Sequence, residues 1–235
     1  MTWVAMTTYP VSSVNPGDVE RIAANWARVQ QRILEAGGDP QRVRVVAVTK
    51  TFEPAMVRAA LAAGLRVMGE NYVDELELKR AEVTDSHVRW HYLGALQSNK
   101  IARIVKAADV ISGVAREKEI RRIATLRAGA CIDVQVDFTG GAERNGADAS
   151  QVATLVHVAR EEGIDVRGLM SVASPNHDVA REQFRRVDSL AGELGLRGRS
   201  MGMSDDFELA VACGSTEVRI GRALFGPRPR PTVLT

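Results

Sequence analysis

Short apolar runs and amphipathic stretches take turns along the chain from residue 43 to residue 220. The apolar runs lie near 43–49, 65–68, 88–93, 109–112, 131–137, 165–170, 199–202 and 217–220. They are short, and the first, RVVAV, has the β-branched character of a strand buried on both faces. Stretches near 54–63, 72–83, 99–107, 116–128, 149–162, 178–194 and 205–212 carry the helical period instead. Pro54 after Glu53 suits a first helical turn, and Ser98 suits the cap of 99–107. One more helix precedes the first strand. Asp18 is its expected N-cap, Val19, Ile22, Ala23, Trp26, Val29, Ile33 and Leu34 form its stripe, and Gly37-Gly38 stops it. Residues 1–17 show no period and hold two prolines, which predicts a mobile leader in which Met6 is an alternative start. Residues 18–235 are the expected domain.

Strict strand–helix alternation predicts a parallel sheet with right-handed crossovers. Eight strands in 235 residues, with no second composition zone, favour a single-domain (β/α)8 barrel over an open doubly wound sheet. Composition removes several function classes. Lys+Arg 31 against Asp+Glu 29 leaves no basic footprint for nucleic acid or an acidic membrane. Cys131 and Cys213 sit among apolar residues without metal-ligand spacing, and four scattered histidines form no zinc pattern. With no membrane-length apolar run and no secretory signal pattern, the expected location is the cytoplasm.

In such a barrel the chemistry sits where strands end. Lys50 closes the first strand; Gly69-Glu70-Asn71-Tyr72 the second; Met170-Ser171 the sixth; Gly202-Met203-Ser204-Asp205-Asp206 the seventh. His91 lies in the third, with Gln97–Lys100 in the loop after it. Lysine is scarce here: Lys50, Lys79, Lys100, Lys106 and Lys118 are all there are. Lys50 reads in two ways, as a strand-end side chain snorkelling to water or as a desolvated amine nucleophile. The loops after strands seven and eight are where barrels bind phosphate. Gly221 allows close backbone approach, Arg222-Ala223-Leu224 begins a short helix, and Ser204 with Ser215 or Thr216 offers hydroxyls. The competing reading makes Ser204 the cap of the 205–212 helix. Arg219, inside the apolar strand VRIG, either pairs with a buried acid or faces an acceptor atom on a ligand.

The stretch Trp90–Ile104, WHYLGALQSNKIARI, resembles the signature of the pyridoxal phosphate (PLP) homeostasis protein family. AVTK ending at Lys50, GENY at 69–72, RGLM at 167–170, GMSDD at 202–206 and GSTEVRIGRALFG at 214–226 resemble it too, in family order. The resemblance implies a TIM barrel of the alanine racemase N-terminal type with PLP held as a Schiff base on Lys50. It implies Asn71 beside the cofactor, Ser204, Thr216 and the backbone of Gly221 and Arg222 on its phosphate, and Arg219 on its ring nitrogen. Its members are mostly monomeric PLP carriers, with PLP-dependent apo-enzymes as the recipients such a carrier serves. Thr49 stands where the family usually has serine, and Phe52 and Arg144 where relatives often carry lysines, which removes auxiliary amines.

A strong electron sink pairs a protonated ring nitrogen with a carboxylate; an arginine there accepts nothing, so the nitrogen stays neutral and the carbanion is less stabilised. Racemases of this type add a second base from a further β-domain, for which the nine residues after Gly226 leave no room, and Tyr9, Tyr72 and Tyr92 offer no clear substitute. The expected function is therefore PLP holding without efficient turnover. The alternatives are a single-domain PLP-dependent racemase or lyase using Lys50 as its base, a PLP-free Schiff-base aldolase, and a scaffold with a vestigial site.

Overall fold

The computed structural model of the chain describes residues 14–138 and 145–228. Eight parallel strands close into a ring: β1 (Arg44–Val48), β2 (Val67–Glu70), β3 (Arg89–Tyr92), β4 (Val110–Val114), β5 (Cys131–Asp137), β7 (Asp165–Met170), β8 (Gly198–Met203) and β9 (Glu217–Ile220). The seam is β9 against β1, in register from Arg44↔Glu217 to Ala47↔Ile220. A two-residue strand, β6 (Ala147–Asp148), pairs only with β5 and lies outside the ring. The connecting helices are α2 (Pro54–Ala62), α3 (Val73–Glu82), α4 (Ile101–Ala107), α5 (Glu117–Leu126), α6 (Ala149–Glu161), α7 (His177–Glu193), α8 (Phe207–Ala212) and α9 (Arg222–Phe225), with α1 (Pro16–Glu35) ahead of them. This is the closed (β/α)8 barrel that the alternation predicts.

Differences from the expected elements have local causes. β2 runs two residues later than its apolar run. The Leu65 N–H closes α2 on Ala60 O (3.0 Å), which makes Leu65 a helix-end contact. α1 starts at Pro16, with Asn15 as its cap accepting from Gly17 N, and Asp18 sits in the first turn paired with Arg21. The expected leader thus ends before residue 16, and its residues 1–13 lie outside the described residues. α1 also fastens α9, since Arg21 Nη1 donates to Phe225 O (2.7 Å) and Asn25 Nδ2 to Leu224 O (2.8 Å). Among the described residues no helix is long and apolar enough to cross a membrane, and no group of three or more His, Cys, Asp or Glu could hold a metal ion.

Strand faces that meet the helices carry the apolar core, as Val218 and Ile220 do on β9. The opposite faces make an unusually polar barrel interior. Arg167 clamps Asp133 and Glu217, Ser112 Oγ donates to Asp133 (2.8 Å), and Ser200 Oγ donates to Glu217 (2.8 Å). Arg219 continues this chain by donating to Ser200 Oγ (2.9 Å), to Ser200 O (2.5 Å) and to Ser171 O (2.7 Å). His91 lies in the same interior with neither ring nitrogen hydrogen-bonded; Glu217 Oε1 is 3.8 Å away. Burial, helped by the Arg167 and Arg44 charges, pulls the His91 pKa down to about 4, so its ring is neutral at pH 7. Burial alone would raise the Glu217 carboxyl, but the charge His91 carries when protonated, the Arg167 guanidinium and the hydrogen bonds from Arg167 and Ser200 hold it below the usual carboxylate range.

A second buried network lies between the sheet and α3. Lys79, 1% exposed, donates to Thr49 O (2.7 Å), Glu70 Oε1 (2.8 Å) and Glu75 Oε2 (3.0 Å). Thr49 Oγ1 donates to the same Glu70 oxygen (2.6 Å), while Glu70 Oε2 has no hydrogen-bond partner. Burial pushes the Glu70 carboxyl up to about 7, more than the Lys79 ammonium and these hydrogen bonds offset.

Two outcomes follow. Replacing Arg167 by Met leaves the Asp133 and Glu217 carboxylates buried without their cation, which should cost about 3–5 kcal/mol in urea unfolding at pH 7. A loss under about 1 kcal/mol would contradict the interior pairing. The pH profile has a more specific signature. Raised from 4.5 to about 7, Glu70 contributes stability that is complete below pH 4.5 and lost as pH climbs to 7. His91, lowered from 6.5 to about 4, does the reverse: its contribution is complete above pH 6.5 and lost as pH falls to 4. The two nearly cancel, so the wild-type unfolding free energy should change little between pH 6.5 and 4.5. Glu70→Gln should unmask the His91 loss, a fall of about 3 kcal/mol across this window. A flat profile in that variant would contradict the opposed pair.

Candidate functional site

A cavity of about 700 Å3 opens at the carboxy-terminal end of the ring. Lys50, Asn71, Ser204, Arg219, Gly221 and Arg222 all line it, so six of the seven residues expected at the site are together. Thr216 is not among them, which corrects the expectation. It precedes β9 at the amino-terminal end, lines a different cavity, and its hydroxyl accepts from Arg199 N at 2.8 Å. Five residues of extended chain separate Thr216 from Gly221, about 16 Å at roughly 3.3 Å per residue. Ser215 is spent on the carbonyls of Met201 and Glu217.

Lys50 stands two residues beyond β1, at the corner of a tight turn closed by Phe52 N donating to Thr49 O at 3.1 Å. Thr51 next to it has φ +68°, a conformation that costs a β-branched residue roughly 1–3 kcal/mol and needs external support. The support is visible: Thr51 N donates to Glu75 Oε2 (2.7 Å), and Lys79 grips the Thr49 carbonyl on the other side. The turn is thereby pinned to α3. Phe52, one of the two expected departures from the family pattern, packs its ring on Phe225 with centroids 5.5 Å apart and ties the turn to α9. Arg144, the other departure, lies outside the described residues.

The Lys50 amine makes no hydrogen bond or ion pair among the described residues. Burial lowers its pKa and the Arg228 guanidinium lowers it further, against opposing pulls from Glu70 and Glu75. Lys50 is also the only lysine among the residues lining the cavity. An accessible amine with a depressed pKa is a carbonyl-directed nucleophile.

Across the cavity, the loops after β8 and β9 meet. Ser204 does not cap α8: that helix starts at Phe207 with Asp206 at the cap position, and the Asp206 carboxylate accepts from Met203 N at 2.6 Å. The Ser204 hydroxyl accepts instead from Ala223 N of α9 (3.3 Å), and Asp205 pairs with Arg222. Gly202 makes this turn possible. It sits at φ +90°, and a Cβ there would come within 2.7 Å of the Ala210 Cβ. At Gly221, by contrast, an added Cβ would meet nothing closer than Val48 O at 3.5 Å, so no packing within the protein requires glycine there. Arg219 has no direct carboxylate partner; carbonyl and hydroxyl oxygens hold it at the cavity floor. Asn71, just after β2, makes no side-chain hydrogen bond among the described residues. His91 and Gln97–Lys100, considered from their strand positions, do not line the cavity.

These donors fit PLP. An unengaged amine suits its aldehyde, a hydroxyl with backbone N–H groups at a strand-to-helix turn suits its phosphate, and a fixed guanidinium suits an acceptor nitrogen. Sequence reasoning missed Lys79, Glu75 and Arg228. Lys79 is visible as one of only five lysines on a helix adjoining the Lys50 turn, whereas Arg228 reaches the cavity by a loop that no period marks.

Comparison with known proteins agrees. Residues 17–229 match the family model for the alanine racemase N-terminal domain. The pyridoxal phosphate homeostasis protein of Pseudomonas aeruginosa is 38% identical over 218 residues, covering 89% of this chain and 95% of that protein. The protein of the same name from Escherichia coli K12 is 33% identical over 227 residues, covering 88% and 97%. The crystal structure of PipY from Synechococcus elongatus with PLP bound superposes with TM-score 0.76 at 34% identity, over 87% of this chain and 100% of that one. Alanine racemase from Streptomyces coelicolor shares the fold at TM-score 0.72 and 23% identity, with 60% of its length covered. By sequence and by fold, the chain belongs to the pyridoxal phosphate homeostasis protein family, built on the alanine racemase N-terminal domain.

Proposed function

We propose that this chain binds PLP at the carboxy-terminal mouth of the barrel, anchored covalently by Lys50, and serves intracellular PLP homeostasis as a carrier. One observation carries the reading. The lone lysine of the cavity is unpaired and holds a lowered pKa, and it faces a wall made of Ser204, Gly221 and Arg222. PLP when bound supplies an electrophilic carbonyl and an electron-withdrawing ring. The protein's part is to hold it: Lys50 on the aldehyde carbon, Ser204 with the Gly221 and Arg222 backbone on the phosphate, Asn71 beside the ring and Arg219 on its nitrogen. The PLP-bound PipY structure and the names of the curated relatives support the assignment.

Holding without turnover is supported by two features. A guanidinium only donates, so it cannot accept from a protonated ring nitrogen; the nitrogen stays unprotonated and the ring a weak electron sink. Of the tyrosines, Tyr72 and Tyr92 do not line the cavity, and the Tyr92 hydroxyl is directed to Ala95 O (3.3 Å); Tyr9 lies outside the described residues. With Phe52 committed to Phe225, no second amine stands beside Lys50 in the turn. PLP-dependent apo-enzymes in the cytoplasm are the proposed recipients, and the proposed working form is a monomer. The lowered Lys50 pKa favours one rival, a racemase or lyase with Lys50 as base. Deuterium exchange at the α-carbon across an amino-acid panel, abolished by Lys50→Ala, would establish it.

After borohydride reduction and desalting in denaturant the wild type should keep one PLP per chain and Lys50→Ala none, with circular dichroism unchanged by the substitution. PLP retained by the variant through that step would place the anchor elsewhere. Ser204→Ala should weaken PLP by about 2 kcal/mol, roughly thirty-fold, through a lost phosphate hydrogen bond, with unphosphorylated pyridoxal changed by about twofold or less. Equal losses in a fluorescence titration of both ligands would restrict Ser204 to bracing α9.

A further inference from the structure

The amino-terminal end of the barrel carries a second cavity of about 480 Å3, on the face away from Lys50. It is walled by the residues that begin β1, β3, β5, β7, β8 and β9, and seven arginines line it against two carboxylates, Asp165 and Glu217. Four of those arginines are accounted for by the fold. Arg167 is clamped by Asp133 and Glu217, Arg199 Nε donates to Asp188 (2.7 Å), and Arg160 donates to Leu194 O (2.9 Å) at the end of α7. Arg44 reaches Glu217 only at 3.5 Å, on the oxygen that Arg167 already holds at 2.5 Å.

Arg42, Arg89 and Arg197 remain. Arg42 and Arg197 come from loops and Arg89 from the first position of β3; all three are exposed at the rim of the cavity, and none of their side chains makes a hydrogen bond or ion pair among the described residues. Residues 1–13 and 229–235 contain no Asp or Glu that could answer them. Residues 139–144 hold one Glu beside one Arg. A concave site lined by one sign of charge focuses its field and concentrates counter-ions. Guanidinium forks match phosphate and carboxylate oxygens two at a time. A cavity of about 480 Å3 has room for a compact occupant.

We propose that this cavity binds one compact multivalent anion of the polyphosphate or polycarboxylate class, with Arg42, Arg89 and Arg197 as its principal contacts. The site is spatially distinct from the Lys50 cavity: among the described residues none lines both. Isothermal titration of the PLP-loaded chain with inorganic tripolyphosphate, and separately with citrate, at 0.15 M salt tests it. Saturable binding of one anion per chain is expected, and the tighter of the two identifies the class. Arg42→Ser combined with Arg89→Ser, and Arg197→Ser alone, should each weaken it roughly tenfold or more, as expected for losing guanidinium contacts to an anion. Arg122→Ser on the exposed face of α5 should leave it within about twofold. Unfolding midpoints of the same variants, unchanged from wild type, keep a folding defect from imitating the loss. The proposal is overturned by equal affinity in the cavity variants, by loss on Arg222→Ser instead, which puts the anion in the Lys50 cavity, or by equal heats from sulfate at matched ionic strength, an adventitious ion only.

Discussion

The ammonium group of Lys79, sealed between the sheet and α3, holds the turn on which Lys50 stands. Its three N–H groups go to the Thr49 carbonyl, Glu70 and Glu75, and Glu75 in turn accepts from Thr51 in its left-handed conformation. Buried ion pairs contribute little net stability, because desolvation consumes most of the Coulombic gain. What this one supplies is direction. With the residues on both sides of Lys50 tied to one helix, the Lys50 amine is aimed into the cavity without spending a hydrogen bond on it. The two lysines divide the work: one is charged, paired and structural, the other unpaired and depressed in pKa.

The interior of the barrel follows a related logic. A packed apolar interior would serve stability as well, but this one threads Ser112, Asp133, Arg167, Glu217, Ser200 and Arg219 into one hydrogen-bonded chain. Its upper end fixes Arg219 at the floor of the cofactor cavity without neutralising it directly. Its lower end, Arg167 and Glu217, forms part of the arginine-lined cavity on the other face. His91 beside this chain is neutral because a charge buried there would be poorly solvated, which outweighs the pull of the Glu217 and Asp133 carboxylates.

Much of this was legible in the residues. Continuous apolar runs separated by amphipathic stretches require a parallel sheet covered by helices, and eight of them close a barrel. The strand-end rule then leads directly to Lys50, Asn71, Ser204 and Gly221. It also excludes Thr216, which precedes its strand; motif resemblance placed it on the phosphate, and strand polarity places it some 16 Å away at the other end. Ser204 before two aspartates reads as a cap for the following helix, yet its hydroxyl serves α9, because only the folded ring brings the loops after β8 and β9 together. Lys79 and the interior chain were hidden for a similar reason. Many of their partners lie 17 to 50 residues away along the chain, and no local period records which charges share a buried space.

The central claim is that Lys50 is the PLP anchor. Incubating the purified chain with PLP, reducing with borohydride and mapping the peptides by mass spectrometry tests it most directly. The account predicts a single stoichiometric phosphopyridoxyl adduct on the peptide carrying Lys50, with Lys79 unmodified. An adduct distributed over Lys100, Lys106 and Lys118, or none at all, would contradict it.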